Sequence, residues 1–244
     1  MLSLFLSVIK NIKSVNKLAV ITGGTKGIGR AVAERFASEG FDTLITARTS
    51  DDLKQVRLHI EKKYSVKCHV FAGDISNKND TVELVKRILA LNNPVDALIN
   101  NAGMYRAGQM KDEPDGVLEQ LIETNLYGAY HLTKGFIPDF IKRKGGHIFN
   151  ICSVASISTP ENSGSYTISK FALLGFSKVL REEMKPHNVR VTAILPGATF
   201  TDSWKGEDVS PDALMPPEDI AAAVWNAYTM KNSVVEEILL RPMG

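Results

Sequence analysis

L-A-V-I-T-G-G-T-K-G-I-G, residues 18–29, begins as a short apolar run and ends in a cluster of glycines. A helical pattern follows, with Ile28, Val32 and Phe36 on one face and Gly40 as a stop signal. A strand, a glycine loop and a helix in this order are typical of a dinucleotide-binding unit, in which the helix N-terminus faces the phosphates. The stretch therefore predicts a phosphate-binding loop, and not only a turn, between the first strand and the first helix.

Apolar runs and helical patterns alternate along the rest of the chain. Strands are predicted at residues 18–22, 42–47, 66–72, 95–100, 146–152, 188–195 and 234–240. Further helices are predicted at residues 50–64, 80–91, 115–143, 161–184 and 217–230. This alternation predicts the α/β class: a doubly wound (Rossmann), seven-stranded, mainly parallel sheet in a single domain, with ligands at the carboxyl ends of the strands.

No linker, repeat or low-complexity segment divides residues 17–244, so we expect them to form one dinucleotide-binding catalytic domain. Residues 1–16 form an N-terminal extension, in which apolar residues recur at helical spacing. This extension does not resemble a signal peptide, and it is too short to span a bilayer. An inert extension, a helix docked on the body or on a partner subunit, and membrane association are the alternatives for it.

The bulk composition is ordinary for a globular protein: 244 residues, 44% hydrophobic and 23% charged, with a formal net charge of +2. So small a net charge argues against nucleic acid or an anionic membrane as a partner. Cys68 and Cys152 lie in apolar runs of different predicted strands, so we expect two buried free thiols and no metal site. Unpaired thiols fit a reducing compartment, and we expect a cytoplasmic protein.

A second informative stretch runs from Ser153 to Lys170. Tyr166 and Lys170 are four residues apart in a predicted helix and therefore share one face. A phenol has an ordinary pKa of about 10, but a fixed ammonium beside it favours the phenolate and makes it useful for acid–base chemistry. Ser153, at the end of the preceding apolar run, adds a hydroxyl donor. Each residue alone has an ordinary structural explanation, and only their joint spacing beside the glycine loop predicts a site that polarises and protonates a carbonyl.

The residues after the second strand indicate which dinucleotide is bound. An NAD site usually places Asp or Glu at this point to hold the ribose 2′-hydroxyl. Residues 46–50 contain no acid and offer Arg48 instead, while Lys26 lies in the glycine loop itself. Two cations suit a 2′-phosphate, so we predict NADP(H). The alternative is a pair of solvated surface cations with no preference.

These motifs together resemble the short-chain dehydrogenases/reductases over residues 17–241. The matching segments are T-G-G-T-K-G-I-G at 22–29, N-N-A-G at 100–103, T-N-L-Y-G around Asn125, and L-P-G-A-T-F-T at 195–201. The resemblance implies an active site of Asn125, Ser153, Tyr166 and Lys170. It further implies that Asp74 contacts adenine and that Thr201 holds the nicotinamide carboxamide. The serine motif reads I-C-S where I-S-S is commoner, and the catalytic position is still serine.

The glycine loop, the basic pair and the resemblance together give one set of cofactor-binding candidates. These are Gly23, Thr25, Lys26, Gly27, Ile28, Gly29, Arg48, Asp74, Asn101, Ala102, Gly103, Tyr166, Lys170, Pro196, Gly197 and Thr201. In the implied mechanism, Ser153 binds the carbonyl oxygen and Tyr166 protonates it. Lys170 assists the tyrosine and grips the nicotinamide ribose, and Asn125 holds a water that links Lys170 to solvent.

The C-terminal part resembles sepiapterin-reductase-like members, and less closely 3-oxoacyl-carrier-protein reductases, so a sepiapterin-like carbonyl reductase is expected. A 3-oxoacyl-thioester reductase is the alternative. A non-catalytic nucleotide sensor or scaffold is the alternative of another class, although such a protein would typically have lost Tyr166 or Lys170.

Two irregular stretches, 104–115 and 197–217, are expected to shape the substrate site. In the second stretch, we expect four residues to lay apolar surface over the substrate: Phe200, Trp204, Leu214 and Met215. The long helices carry more apolar surface than one sheet face needs. Members of the family that the chain resembles are commonly dimers or tetramers. We therefore predict a homodimer or homotetramer in which a second subunit covers Leu173, Leu174, Phe176, Val179 and Leu180.

Overall fold

The computed structural model describes residues 16–202, 210 and 213–243. Seven strands form one sheet in the order β3-β2-β1-β4-β5-β6-β7, and every neighbouring pair is parallel. The strands are β1 (Leu18–Thr22), β2 (Asp42–Ala47), β3 (Cys68–Ala72), β4 (Val95–Asn100), β5 (His147–Ile151), β6 (Arg190–Pro196) and β7 (Glu237–Leu240). The predicted doubly wound α/β fold is confirmed.

Helices connect successive strands and cover both faces of the sheet. They are α1 (Gly27–Ser38), α2 (Ser50–Tyr64), α3 (Lys78–Ala90), α4 (Val117–Ile122), α5 (Gly128–Arg143), α6 (Gly164–Met184) and α7 (Pro217–Thr229). The side chains of β1 alternate between the two faces, as the pleat of a strand requires. Ala19 and Ile21 pack with α1, α2 and α7, while Leu18 and Val20 pack with α3, α5 and α6.

The predicted helix over 115–143 is interrupted. A π-helical turn, Glu123–Tyr127, separates α4 from α5. Asn125 lies in this turn and is 1% exposed, with its side chain directed into the protein. Helical periodicity alone does not reveal such a turn, because the apolar pattern continues on both sides of it.

The side chains of α6 that are predicted to meet a second subunit differ in their burial. Leu173, Leu174 and Leu180 are buried within the subunit, because α6 packs them against β6 and its neighbours. Val179 is 59% exposed, and its place in a subunit interface stays a prediction. Phe171, on the same helix, is also exposed and was not predicted.

Three other expectations concern the termini, the thiols and the membrane. Residues 1–15 of the predicted extension lie outside the described part of the chain. Cys68 and Cys152 are both free and buried. Among the described residues, no helix combines the length and the apolar character needed to cross a membrane.

Candidate active site

A cleft of about 920 Å³ opens at the carboxyl ends of the strands. It spans the point between β1 and β4 where the direction of chain winding reverses, which is where this architecture binds ligands. Most of the predicted site residues line it: Gly23, Thr25, Lys26, Gly27, Ile28, Arg48, Asp74, Asn101, Ala102, Gly103, Ser153, Tyr166, Lys170, Pro196, Gly197 and Thr201. Gly29 and Asn125 lie behind this lining and support it.

The glycine loop and the end of β1 are held by the residues that directly follow β4. Asn101 Nδ2 donates to the carbonyl oxygens of Thr22 and Gly23, at 2.9 and 3.1 Å. Thr22 Oγ1 accepts from the backbone N–H groups of Asn101 and Ala102, at 3.0 and 2.9 Å. A Cβ at Gly29 would collide with the Gly23 carbonyl, so only glycine fits there. Sequence reasoning missed Thr22, although its place at the end of β1 could have indicated it.

The first turn of α1 fits an anionic group. No side chain caps this helix, and its first turn contains no acid, so its N–H groups are left for a ligand. Lys26 and Arg48 border the same end of the cleft. Lys26 Nζ lies 3.8 Å from Asp52 Oδ2 and 3.6 Å from Asp202 Oδ2, so two carboxylates balance its charge. Neither acid was predicted, because both reach Lys26 from other parts of the chain.

The predicted Ser–Tyr–Lys group lines the same cleft. Lys170 is 5% exposed, and its Nζ donates to the Ile151 carbonyl at 2.9 Å. The same Nζ lies 5.8 Å from the centre of the Tyr166 ring. Ser153 Oγ accepts from the Ala155 N–H at 3.1 Å, so this serine caps a short 3₁₀ turn and keeps its hydroxyl hydrogen for the cleft. The structure thus brings the three residues together around one space.

The Asn125 side chain is fully engaged. Its Oδ1 accepts from the Met104 N–H at 2.7 Å, and its Nδ2 donates to the Met104 carbonyl at 3.0 Å and to Ser169 Oγ at 2.9 Å. The amide therefore ties the start of the 104–115 segment to α6. The role of Asn125 in holding a water stays a prediction, and it would fall to the main chain of this residue.

A network of buried polar side chains lies between the sheet and the helices next to the site. Asn100 Nδ2 donates to Thr133 Oγ1 and to Asn150 Oδ1, at 2.9 and 2.8 Å. Asn150 Nδ2 in turn donates to Ser177 Oγ at 2.8 Å. The network joins β4 and β5 to the helices α5 and α6. Sequence reasoning missed it, because the partners are far apart in the chain.

The two irregular stretches behave differently. Tyr105, in the first stretch, lines the cleft and packs edge to face on Tyr166, with the two ring centroids 4.9 Å apart. In the second, Leu214 and Met215 are buried, so the prediction that they cover the substrate is wrong. Main-chain bonds between Met215 and residues 198 and 200 fold the stretch back and turn these side chains inward. Phe200 is exposed, and Trp204 lies outside the described residues.

Cys152 is adjacent to Ser153, but its buried environment does not favour a reactive thiolate. Burial raises the pKa of its thiol to about 11, with Lys170 acting in the opposite direction. The thiol therefore stays protonated at neutral pH, and the unprotonated form is the reactive one. The cysteine in the I-C-S motif therefore contributes to packing.

Fold and site together define an oxidoreductase, and the chain belongs to the short chain dehydrogenase family, which its residues 17–210 match. Sepiapterin reductase of Chlorobaculum tepidum is 36% identical over 234 residues, which cover 92% of this chain and 96% of that protein. A 3-oxoacyl-(acyl-carrier-protein) reductase of Aquifex aeolicus is 34% identical over 191 residues, or 78% and 77% of the two chains. The structure of L-sorbose reductase from Gluconobacter frateurii, complexed with NADPH and L-sorbose, has a TM-score of 0.86 at 27% identity, covering 93% and 95%. The family predicted from the motifs is confirmed.

Proposed function

We propose that this protein is an NADP(H)-dependent carbonyl reductase that interconverts a carbonyl and a secondary alcohol, with Ser153, Tyr166, Lys170 and Asn125 as its active-site residues. One observation carries the proposal: Ser153, Tyr166 and Lys170 line the same cleft as the glycine loop and Arg48. A surface helix contact or an isolated helix cap would not share a cleft with a phosphate-binding loop.

The cofactor assignment rests on the charge at one end of the cleft. The uncapped first turn of α1 would hold the pyrophosphate, and Lys26 with Arg48 would hold the 2′-phosphate. The similar L-sorbose reductase was solved with NADPH, which supports the same choice here. When bound, NADP(H) supplies or accepts the hydride.

The chain's own residues handle the oxygen and the proton. The Ser153 hydroxyl would donate a hydrogen bond to the carbonyl oxygen, and the Tyr166 phenol would transfer its proton to that oxygen. The Lys170 ammonium, held by the Ile151 carbonyl, stabilises the negative charge that develops on the tyrosine oxygen. Because Lys170 is buried, its charge acts through little water and is poorly screened.

Within this reaction class we propose a sepiapterin-like carbonyl substrate, supported by the sepiapterin reductase that is 36% identical. The 3-oxoacyl thioesters form the second class, supported by the reductase of Aquifex aeolicus. We also propose a cytoplasmic location, on the basis of the two unpaired thiols. A homodimer or homotetramer is proposed from the exposed Phe171 and Val179 on α6, to be tested by light scattering.

The test is NADPH oxidation by the purified protein with a panel of pterin ketones, simple ketones and 3-oxoacyl thioesters. Tyr166→Phe keeps the ring and removes the proton donor. We expect it to abolish turnover while NADPH still binds, as measured by fluorescence titration. Full turnover in Tyr166→Phe would remove the tyrosine from the mechanism. NADPH binding without reduction of any panel member would favour a nucleotide sensor.

A further inference from the structure

The segment between β4 and α4, residues 104–115, is bound along its length to the start of α6. Gly108 N–H donates to the Asn162 carbonyl at 2.8 Å, and Gly164 N–H donates to the Gly108 carbonyl at 2.9 Å. Gln109 Nε2 adds a bond to Asn162 Oδ1 at 2.9 Å. Two parts of the chain that are distant in sequence therefore form one unit beside the cleft.

Glu113 closes this unit at its far end. Its Oε1 accepts from the Ser165 backbone N–H at 3.2 Å, and its Oε2 accepts from Ser165 Oγ. Ser163, at the N-cap position of α6, makes no capping bond of its own. Glu113, 52 residues away in sequence, thus supplies the acceptor that the first turn of α6 lacks. A carboxylate also suits this position because the helix dipole is positive there.

Tyr166 is the residue that follows Ser165 and lies in this first turn. Helix ends fray, so the position of the Tyr166 phenol depends on how well this first turn is held. Tyr105, at the other end of the segment, packs against Tyr166, with the two ring centroids 4.9 Å apart. Glu113 therefore links the 104–115 segment to the turn that presents the phenol.

We propose that Glu113 is a positioning residue for the reduction, acting through Ser165 on the orientation of Tyr166. This inference rests on the reductase function proposed above. Glu113 lies outside the lining of the cleft, and both of its oxygens are occupied by Ser165, so it acts without touching the reacting atoms. A displacement of about 1 Å in a catalytic group lowers turnover by about 100-fold.

Steady-state kinetics of Glu113 variants test the proposal. Glu113→Ala should lower kcat by about 10- to 100-fold and change the Kd for NADPH much less, because Glu113 bonds to Ser165 and not to the glycine loop, Lys26 or Arg48. Glu113→Gln retains an acceptor for the Ser165 N–H and should recover most of kcat. Asp112→Ala is the matched control, since Asp112 is an exposed neighbour whose carboxylate pairs with Lys111 at 4.0 Å.

A double-mutant cycle separates this role from general stability. Ser165→Ala removes one of the two bonds to Glu113 and should have a smaller effect on kcat than Glu113→Ala. The double variant should be no slower than Glu113→Ala alone, because the hydroxyl then has no carboxylate to bind. Additive losses would mean that the two residues act separately, and this result would overturn the proposal.

Hydrogen exchange gives a readout that needs no substrate. Amides 163–168 should exchange faster in Glu113→Ala than in Asp112→Ala, with and without NADPH. Unchanged exchange, or a Glu113→Ala enzyme with full kcat, overturns the inference. If the wild-type protein reduces no carbonyl, the proposed function fails separately, and the exchange experiment still decides whether Glu113 orders the turn that carries Tyr166.

Discussion

We expect the charge of Asp52 to limit how strongly Lys26 binds the 2′-phosphate proposed for it. Lys26 Nζ lies 3.8 Å from Asp52 Oδ2 and 3.6 Å from Asp202 Oδ2. A 2′-phosphate must therefore compete with two carboxylates for the same ammonium. Replacing Asp52 by Asn keeps the shape of the side chain and removes one competitor, so we predict that Asp52→Asn tightens NADPH binding.

The size of this effect follows from distance and exposure. Two unit charges at 4 Å interact by about 1 kcal/mol in water and by about 4 kcal/mol at an effective dielectric constant of about 20. The side chains of Lys26 and Asp52 are 59% and 38% exposed, so the low end applies. A gain of about 1 kcal/mol corresponds to an approximately fivefold lower Kd for NADPH. NADH lacks the 2′-phosphate, and its Kd should not change.

Fluorescence titration of both cofactors measures the prediction. Asp51→Asn is the control, because Asp51 lies in the same first turn of α2 and pairs with Lys54 at 3.1 Å instead. The gain in Asp52→Asn should shrink as salt is added, since salt screens exposed charges. Weaker NADPH binding in Asp52→Asn would refute the competition argument and would mean that Asp52 holds Lys26 in its useful position.

Two further predictions concern stability and substrate choice. His147 is fully buried, with Nε2 2.7 Å from Thr192 Oγ1, and burial, assisted by Arg190, lowers its pKa well below the ordinary 6.5. In acid the unfolded chain therefore binds a proton that the folded protein does not bind at His147. The contribution of this residue to the free energy of unfolding is full above about pH 6.5 and decreases below it. In thermal melts, the Tm of His147→Phe should fall less steeply with decreasing pH than the Tm of wild type. Tyr105 is 43% exposed in the cleft, so Tyr105→Ala should raise KM for ring-bearing ketones more than for small aliphatic ones in parallel kinetics. An equal rise in KM for both classes would remove Tyr105 from substrate recognition.

The sheet and the cofactor loop could be predicted because their signals are local. The strands are short segments rich in apolar residues, and the glycine loop stands directly between β1 and α1. The bounds of β1, β2 and β4 agree with the predictions, while β3 begins at Cys68 rather than at residue 66 because Ser65 ends α2 in a left-handed conformation. Tyr166 and Lys170 were also found locally, from helical spacing.

The contacts across the site had no such local signal. Glu113 and Ser165 are 52 residues apart, and nothing near either one indicates the other. The apolar pattern of α6 marks which side chains avoid water, but not whether the same subunit or another one covers them. That is why Leu173 and Leu180 were assigned to a subunit interface and are found in the core.

The π-helical turn at Glu123–Tyr127 has a consequence for anyone who redesigns this chain. It accommodates one residue more than a regular helix would, and Asn125 reaches the Met104 backbone from it. If the same residues formed a regular helix without this wide turn, everything beyond it would be rotated by about 100°. Either Asn125 would leave Met104, or Leu132, Phe136 and Phe140 would turn out of the core. The π-helical turn lets the continuous helix from α4 to α5 pack against two differently oriented surfaces. Loop grafts or circular permutations should therefore keep the number of residues in this turn.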